Sequence, residues 1–289
     1  MNAVNILLIL VALGGVYCLF NIITDVIKNK NNLGKGNPIL GVVIGFITDF
    51  FDTLGISSFA LTTLLFKVTN YLDNDKQLPG TLNVAHTIPT ILEAFLFIQA
   101  VEVEPITMFS LIAAAILGSI LGARIVTGFS ERKIQTTMGY CLLVTSLLMI
   151  SKQMGWLSLL STGNTAIGLV GVSLIIGIVG NFIFGALMMA GVGLYAPCLA
   201  MVSILGMNPK AAFPIMMASC ALLQAISSGP FIKANMYSRI ATITIIIGGL
   251  AGVYVAFNIV KNMPLDYIMW LVIVVVIYTG ISMIIKGRK

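Results

Sequence analysis

The 289-residue chain is 58% hydrophobic and only 9% charged, with a mean hydropathy of +1.05. A soluble domain carries about 25% charged residues, and a β-barrel reads as short alternating segments rather than long apolar runs, so both are excluded in favour of a polytopic α-helical membrane protein. The net charge of +6 sits in short loops and at the C-terminus, where it reports topology and not nucleic-acid binding.

A first helix is predicted over about Val4 to Ile27. No Lys or Arg precedes its apolar run and no small-x-small site follows, so it reads as a retained helix. Lys28, Lys30 and Lys35 place the next loop inside. The segment from Pro38 to Phe66 is apolar, yet it carries Asp49, Asp52 and a break of small polar residues near Thr53–Ser58. A polar linker to Pro79 follows, then a helix over about 81–100, an acidic turn with Glu102 and Glu104, and a helix over about 105–127.

Charge fixes the orientation of this half. Arg132 and Lys133 put the turn after 127 inside, so the acidic turn is outside and the helix 81–100 starts inside. The segment 38–66 therefore enters and leaves on one side. At about 29 residues it is too long for one helix and too short for two crossings of about 20 each. A re-entrant pair of half-helices satisfies both limits, provided protein or a cavity covers its turn.

The second half repeats the plan. Helices are predicted over about 135–155, 211–231, 240–260 and 266–285, and the stretch 166–205 is broken by Gly185, Gly191, Gly193 and Pro197. This stretch is long enough for two full crossings, so both a hairpin and a pair of crossings remain open. Lys233, Arg239 and the terminal Lys286, Arg288 and Lys289 mark inside loops, leaving the C-terminus cytoplasmic and the N-terminus outside a cell membrane. Setting Gly55 on Gly191 pairs Gly41 with Gly177, Phe46 with Phe182 and Ala60 with Ala196. After a shorter linker, Pro79 falls on Pro209 and Leu92 on Leu222. The expected fold is all-α, with two inverted repeats (1–134 and 135–289), a broken hairpin in each, and one extra C-terminal helix. Inverted repeats with broken helices mark secondary transporters.

Chemistry concentrates in the first half. A carboxylate at bilayer depth costs about 2.5–3.5 kcal/mol on insertion scales, so it needs a cavity or partner. Asp49 and Asp52 share a helical face; nearby carboxylates repel and readily share one proton, which suits a proton or cation pair. The bland alternative is that both sit near the aqueous end and only cap or solubilise the turn. Asn83, His86, Thr90 and Glu93 form a second polar stripe at steps of three, four and three. His86 is the only histidine; a lone one is ordinarily a satisfied core residue, but the neighbouring acid makes coupling a real competitor. Pro89 removes a backbone donor and can free a carbonyl. Asp49, Asp52, His86 and Glu93 are thus the candidate ion-coupling groups.

The corresponding helix in the second half offers Ser219, Cys220, Gln224, Ser227 and Ser228 instead, which equally suit close helix packing. Near the second break, Asn181, Gly191, Gly193, Tyr195 and Cys198 stand out. Glycines admit backbone to a ligand, and half-helix N-termini offer unpaired N–H groups. Two such tips meeting would make an anion site, with Thr53, Gly55, Ser57, Ser58, Asn83, Gly191, Gly193, Tyr195, Cys198, Ser219 and Gln224 as candidate contacts. Cys18, Cys141, Cys198 and Cys220 lie in apolar runs without metal-type spacing. The methionine doublets at Met188 and Met216 read as packing ahead of a soft-metal path. No phosphate-binding loop is present, no cofactor is implied, and a homo-oligomer is compatible with the sequence.

The pattern resembles the sulfite exporter TauE/SafE family of membrane transporters, whose two related halves each carry a motif of the form G-x-x-x-G-x-x-G-x-G-G-x beside a broken segment. The matches run from Gly45 to Ser57, centred on Gly55, and from Gly180 to Gly193, centred on Gly191. The helices that follow match at Pro79-Gly80 to His86 and at Asn208-Pro209 to Ser219. Asp49 and Asp52 replace small residues of the usual motif, and His86 replaces a small or hydroxyl residue. The resemblance implies transport of small sulfur-containing or organic anions. An expected reading is therefore a non-enzymatic permease for a small anion, coupled to protons. A cation carrier using the acids directly is the alternative. An intramembrane Ser–His enzyme at Ser57, Ser58 and His86, or a passive scaffold subunit, ranks below both.

Overall fold

A computed structural model describes residues 3–53, 57–98, 103–156, 164–259 and 266–288. Among them the secondary structure is helical throughout, apart from one isolated bridge between Ala166 and Met207. Helix α1 spans Ala3–Lys28, and the first broken segment gives α2 (Pro38–Thr53) and α3 (Ser58–Thr69). A short 3-10 turn, Asp75–Gln77, leads into α4 (Leu78–Phe97), followed by α5 (Pro105–Thr127) and α6 (Glu131–Gln153). The second broken segment gives α7 (Gly171–Met188) and α8 (Tyr195–Ile204). Then come α9 (Pro209–Lys233), α10 (Arg239–Ile259) and α11 (Asp266–Arg288).

Local chemistry sets these boundaries. Asn37 Oδ1 accepts from the Ile39 and Leu40 N–H groups, and Pro38 needs no donor in the first turn, so α2 begins there. Glu104 caps α5 in the same way, accepting from Ile106 N at 3.0 Å and Thr107 N at 2.6 Å ahead of Pro105. These bonds hold the Glu104 carboxyl below its usual range. Helix α3 ends at Asn70, whose φ of 48° is left-handed.

Among the described residues, six helices are long and apolar enough to cross a bilayer: α1, α5, α6, α7, α9 and α10. The chain is thus a multi-pass α-helical membrane protein. Helix α4 falls outside that set because its Asn83, His86 and Glu93 stripe makes it too polar. It survives by lying in the interior, where all three side chains are buried. Helix α9 is its partner at the centre: 78% of its apolar window is buried, against 28% in α1 and 22% in α7, which face outward.

The packing order follows. Helix α2 lies along α10, α5 along α7, and α6 along α11, while α4 packs on α9 and α10, and α9 on α5 and α1. Glycines let backbones touch at these crossings. A Cβ at Gly252 would strike the Phe46 carbonyl, and one at Gly118 the Phe182 carbonyl.

The ends of the first broken segment lie together, since Tyr71 Oη donates to the Asn37 carbonyl at 3.1 Å. Thr81, Ser238, Leu33 and Ile240 join the same end through Ser238 N→Thr81 Oγ1 and Ile240 N→Leu33 O. The ends of the second broken segment also lie together, through Asn208 N→Ala166 O and Asn164 Nδ2→Ser203 O. They sit with the acidic turn, because Glu104 N donates to the Ile167 carbonyl at 3.0 Å. Two clusters anchor the basic end. Asp75 takes Lys67, Lys286 at 3.2 Å and Gln135 at 2.8 Å. Asp25 takes Arg239 at 2.7 Å and the Tyr237 hydroxyl.

Candidate functional site

The acids of the first half are interior. Asp49 is 1% exposed, Asp52 7% and Glu93 1%. Asp49 and Asp52, expected to act as a carboxylate pair, take different partners. Asp49 Oδ1 lies 2.7 Å from His86 Nδ1, and His86 Nε2 lies 2.9 Å from the Thr62 hydroxyl. Asp52 Oδ1 accepts from the Ser58 N–H at 2.9 Å, so it caps the start of α3. The first half-helix tip, expected to offer its N–H groups to an anion, is already met by the protein's own carboxylate.

The Asp49–His86–Thr62 chain links α2, α4 and α3. His86 sits on α4 one turn before Pro89 and Thr90, and its ring packs against Phe59, centroids 5.9 Å apart. Thr62 can donate to or accept from the imidazole, so the hydroxyl suits either protonation state of the ring. The second Asp49 oxygen, Oδ2, makes no hydrogen bond and abuts Gly249 of α10, where a Cβ would displace it. A buried polar atom left unpaired costs about 1–3 kcal/mol, so it calls for a reason. Thr53, at the end of α2, bridges to α4: its hydroxyl is 2.8 Å from both the Asp49 carbonyl and Glu93 Oε1, sharing one proton between them.

The two breaks meet. A Cβ at Gly193 would lie 3.1 Å from the Ser57 hydroxyl oxygen. Gly191 adopts φ of 104°, which favours glycine, and it packs on Met138. Cys220 of α9 lies 3.8 Å from Met188, the last residue of α7 before the second break.

Of the expected contacts, Thr53, Ser57, Ser58, Gly191 and Gly193 are brought to this region together with Asp49, Asp52, His86 and Glu93, and Cys198 is buried on α8. Asn83 is buried one turn before His86 and its amide donates to the Pro79 carbonyl. Asn83 Oδ1, Ser219 Oγ and Gln224 Oε1 are buried without a hydrogen bond. Asn181 donates to the Leu111 carbonyl at 2.9 Å, and its Oδ1 is likewise buried without a hydrogen bond. Gly55 and the Tyr195 side chain lie outside the described residues. Thr62 and Gly249 were missed by sequence reasoning; the Thr62-Thr63 doublet in an apolar run and the Gly248-Gly249 doublet were the available signals.

No family model matches the chain, and no curated protein or solved structure matches it either.

Proposed function

We propose that this protein is a secondary transporter of two inverted repeats that carries a small anion, as the TauE/SafE resemblance implies, together with protons handled by its buried acids. The observation that carries the reading is the meeting of the two helix breaks at Ser57 and Gly193, with three acids buried behind them. Broken helices and interior ionisable groups coincide where a membrane protein handles a solute.

The repeat is supported by contacts that match pairwise. Setting Gly55 on Gly191 makes Phe46 the counterpart of Phe182, and Ser57 that of Gly193. Setting Gly252 on Gly118 makes Ile245 the counterpart of Leu111, and Gly249 that of Ala115. Gly252 meets the Phe46 carbonyl as Gly118 meets the Phe182 carbonyl. Gly45 abuts Ile245, and its counterpart Asn181 bonds to Leu111. Gly249 abuts Asp49, and Ala115 abuts the counterpart Gly185. Ser57 and Gly193 are counterparts that touch each other, as residues on a two-fold axis must. Each broken segment begins and ends at one end of the molecule, and the two segments open at opposite ends, which supports re-entrant hairpins of inverted sense.

The repeats differ in charge. The counterparts of Asp49, Asp52, His86 and Glu93 are Gly185, Met188, Met216 and Leu223. In this reading the first half handles the proton through Asp49, His86, Asp52 and Glu93. The solute contacts the junction at Ser57 and Gly193 and the unpaired oxygens of Asn83, Ser219 and Gln224. No enzymatic step or cofactor is assigned.

One observation favours a second reading. Asp52 already supplies negative charge to the α3 tip, which suits a cationic solute bound directly by the acids. Flux into proteoliposomes under an imposed pH gradient tests both. Acid-driven uptake that sulfite or sulfonates compete for supports the anion reading. Competition by organic or inorganic cations supports the second, and no gradient-dependent flux of either kind removes both.

A further inference from the structure

Away from the central site, a cleft of about 420 Å³ opens where α1 and α9 end and α10 begins. Phe20, Asp25, Lys28, Lys233, Asn235 and Arg239 line it. The Asp25 carboxylate is consumed: it accepts from Arg239, Tyr237 and Asn29. Arg239 is in turn held by Asn235 Oδ1 at 2.8 Å. Lys28 and Lys233 have no ion-pair partner among the described residues. Each closes the last turn of its helix, where a cation suits the macrodipole. That explains each lysine singly, but not why two unpaired ammonium groups face one cleft beside a guanidinium.

The flank of the cleft is apolar and outward-facing. Leu13, Val16, Phe20, Ile23 and Ile27 form an exposed stripe along α1, between 53% and 67% accessible, and it ends at Lys28. A ligand that fits both surfaces has an anionic head and a hydrocarbon tail. We infer that the cleft binds the phosphate headgroup of an anionic phospholipid, with Lys28 and Lys233 on the phosphate, Arg239 and Asn235 as the fixed wall, and an acyl chain along the α1 stripe. Basic pockets between helices at a membrane interface bind such headgroups, and each Lys adds a share of the attraction to anionic lipid. This inference stands apart from the transport reading, since it uses none of its residues.

The test uses purified, delipidated full-length protein and counts bound lipid by native mass spectrometry, with a thermal-shift assay alongside. Phosphatidylglycerol is expected to bind and to raise Tm, while phosphatidylcholine and inorganic phosphate do neither. Lys28→Gln with Lys233→Gln is expected to weaken phosphatidylglycerol binding about 30-fold, and Lys30→Gln with Lys35→Gln, at the same end but outside the cleft lining, to leave it unchanged. Both lysines of the first variant are exposed, so it folds as the parent does. Equal stabilisation by phosphatidylcholine would mean apolar filling only, and equal stabilisation by inorganic phosphate would mean a soluble-anion site; either overturns the inference. So does full phosphatidylglycerol binding by the Lys28, Lys233 variant.

Discussion

A Cβ at Gly193 would lie 3.7 Å from the Ser57 Cβ, although the two residues belong to different halves of the chain. That separation falls within the range a disulfide spans, about 3.5–4.5 Å. Ser57→Cys with Gly193→Cys should therefore cross-link under mild oxidation, and flux should stop until the bond is reduced. Gel mobility after cleavage between the halves reads the link. A pair that stays reduced, or a linked protein that still transports, counts against a working junction there.

Asp49 and His86 are both interior, so removing either strands the other. Asp49→Ala and His86→Ala should each destabilise by about 3–5 kcal/mol, the scale for breaking a buried pair. The double variant should lose less than the sum, because neither charge is then left alone. Denaturant unfolding in detergent gives the cycle; additive losses would mean that the 2.7 Å contact contributes nothing.

Asp52→Asn keeps an acceptor for the Ser58 N–H but removes the charge and the titration. The α2–α3 segment should remain folded while the pH dependence of flux disappears. Proteoliposome flux between about pH 5 and 8 is the measurement, spanning the window around an ordinary histidine. A pH profile identical to the parent's would take Asp52 out of the coupling.

Gly249 makes room for the unpaired oxygen of Asp49. Gly249→Ala should push that carboxylate aside, lose about 1–3 kcal/mol by overpacking, and lower flux. A Cβ at Gly248 would strike the Val42 backbone carbonyl instead, so Gly248→Ala should cost more stability, while Gly249→Ala should lose more flux for the stability it loses. The same ratio of flux loss to stability loss in both would mean that α2–α10 packing alone is being read.

Asp75 fastens the end of α3 to α6 and α11. Burial would raise its carboxyl, but Lys67, Gln135 and Lys286 outweigh that and hold it below the usual range. A depressed folded value stabilises fully above the unfolded value, about pH 4, and the stabilisation fades as pH falls through the folded one. Asp75→Asn should thus lower Tm by a constant amount from about pH 5 to 7, with the gap closing below pH 4. A gap that persists in acid would assign the effect to packing.

The sequence made the membrane class and the place of the first break legible. Charge bias needs only Lys and Arg positions, and the turn near Thr53–Ser58 is framed by α2 ending at Thr53 and α3 starting at Ser58. The second break was less legible because glycine is not a boundary by itself: Gly185 and Pro197 both fall inside helices. The Asp49–His86 pair could not be read, since residues on α2 and α4 meet only through packing that no periodicity encodes. The same holds for Asp25 with Arg239 and Asp75 with Lys286, which join distant chain segments. The partner of Asp52 was hidden for a different reason. Its helical spacing from Asp49 shows a shared face, whereas the Ser58 N–H it accepts from lies six positions later, beyond the break.

Because the Asp52 carboxylate is what starts α3, any cation or proton that claims this oxygen also loosens the first turn of that helix. Chemistry at one atom becomes slack at the apex that touches Gly193. The opposite apex begins at Tyr195 with Met188 where the acid would stand, and no side chain caps it. A change of charge at Asp52 would therefore reach the first apex through a hydrogen bond that has no equivalent at the start of α8.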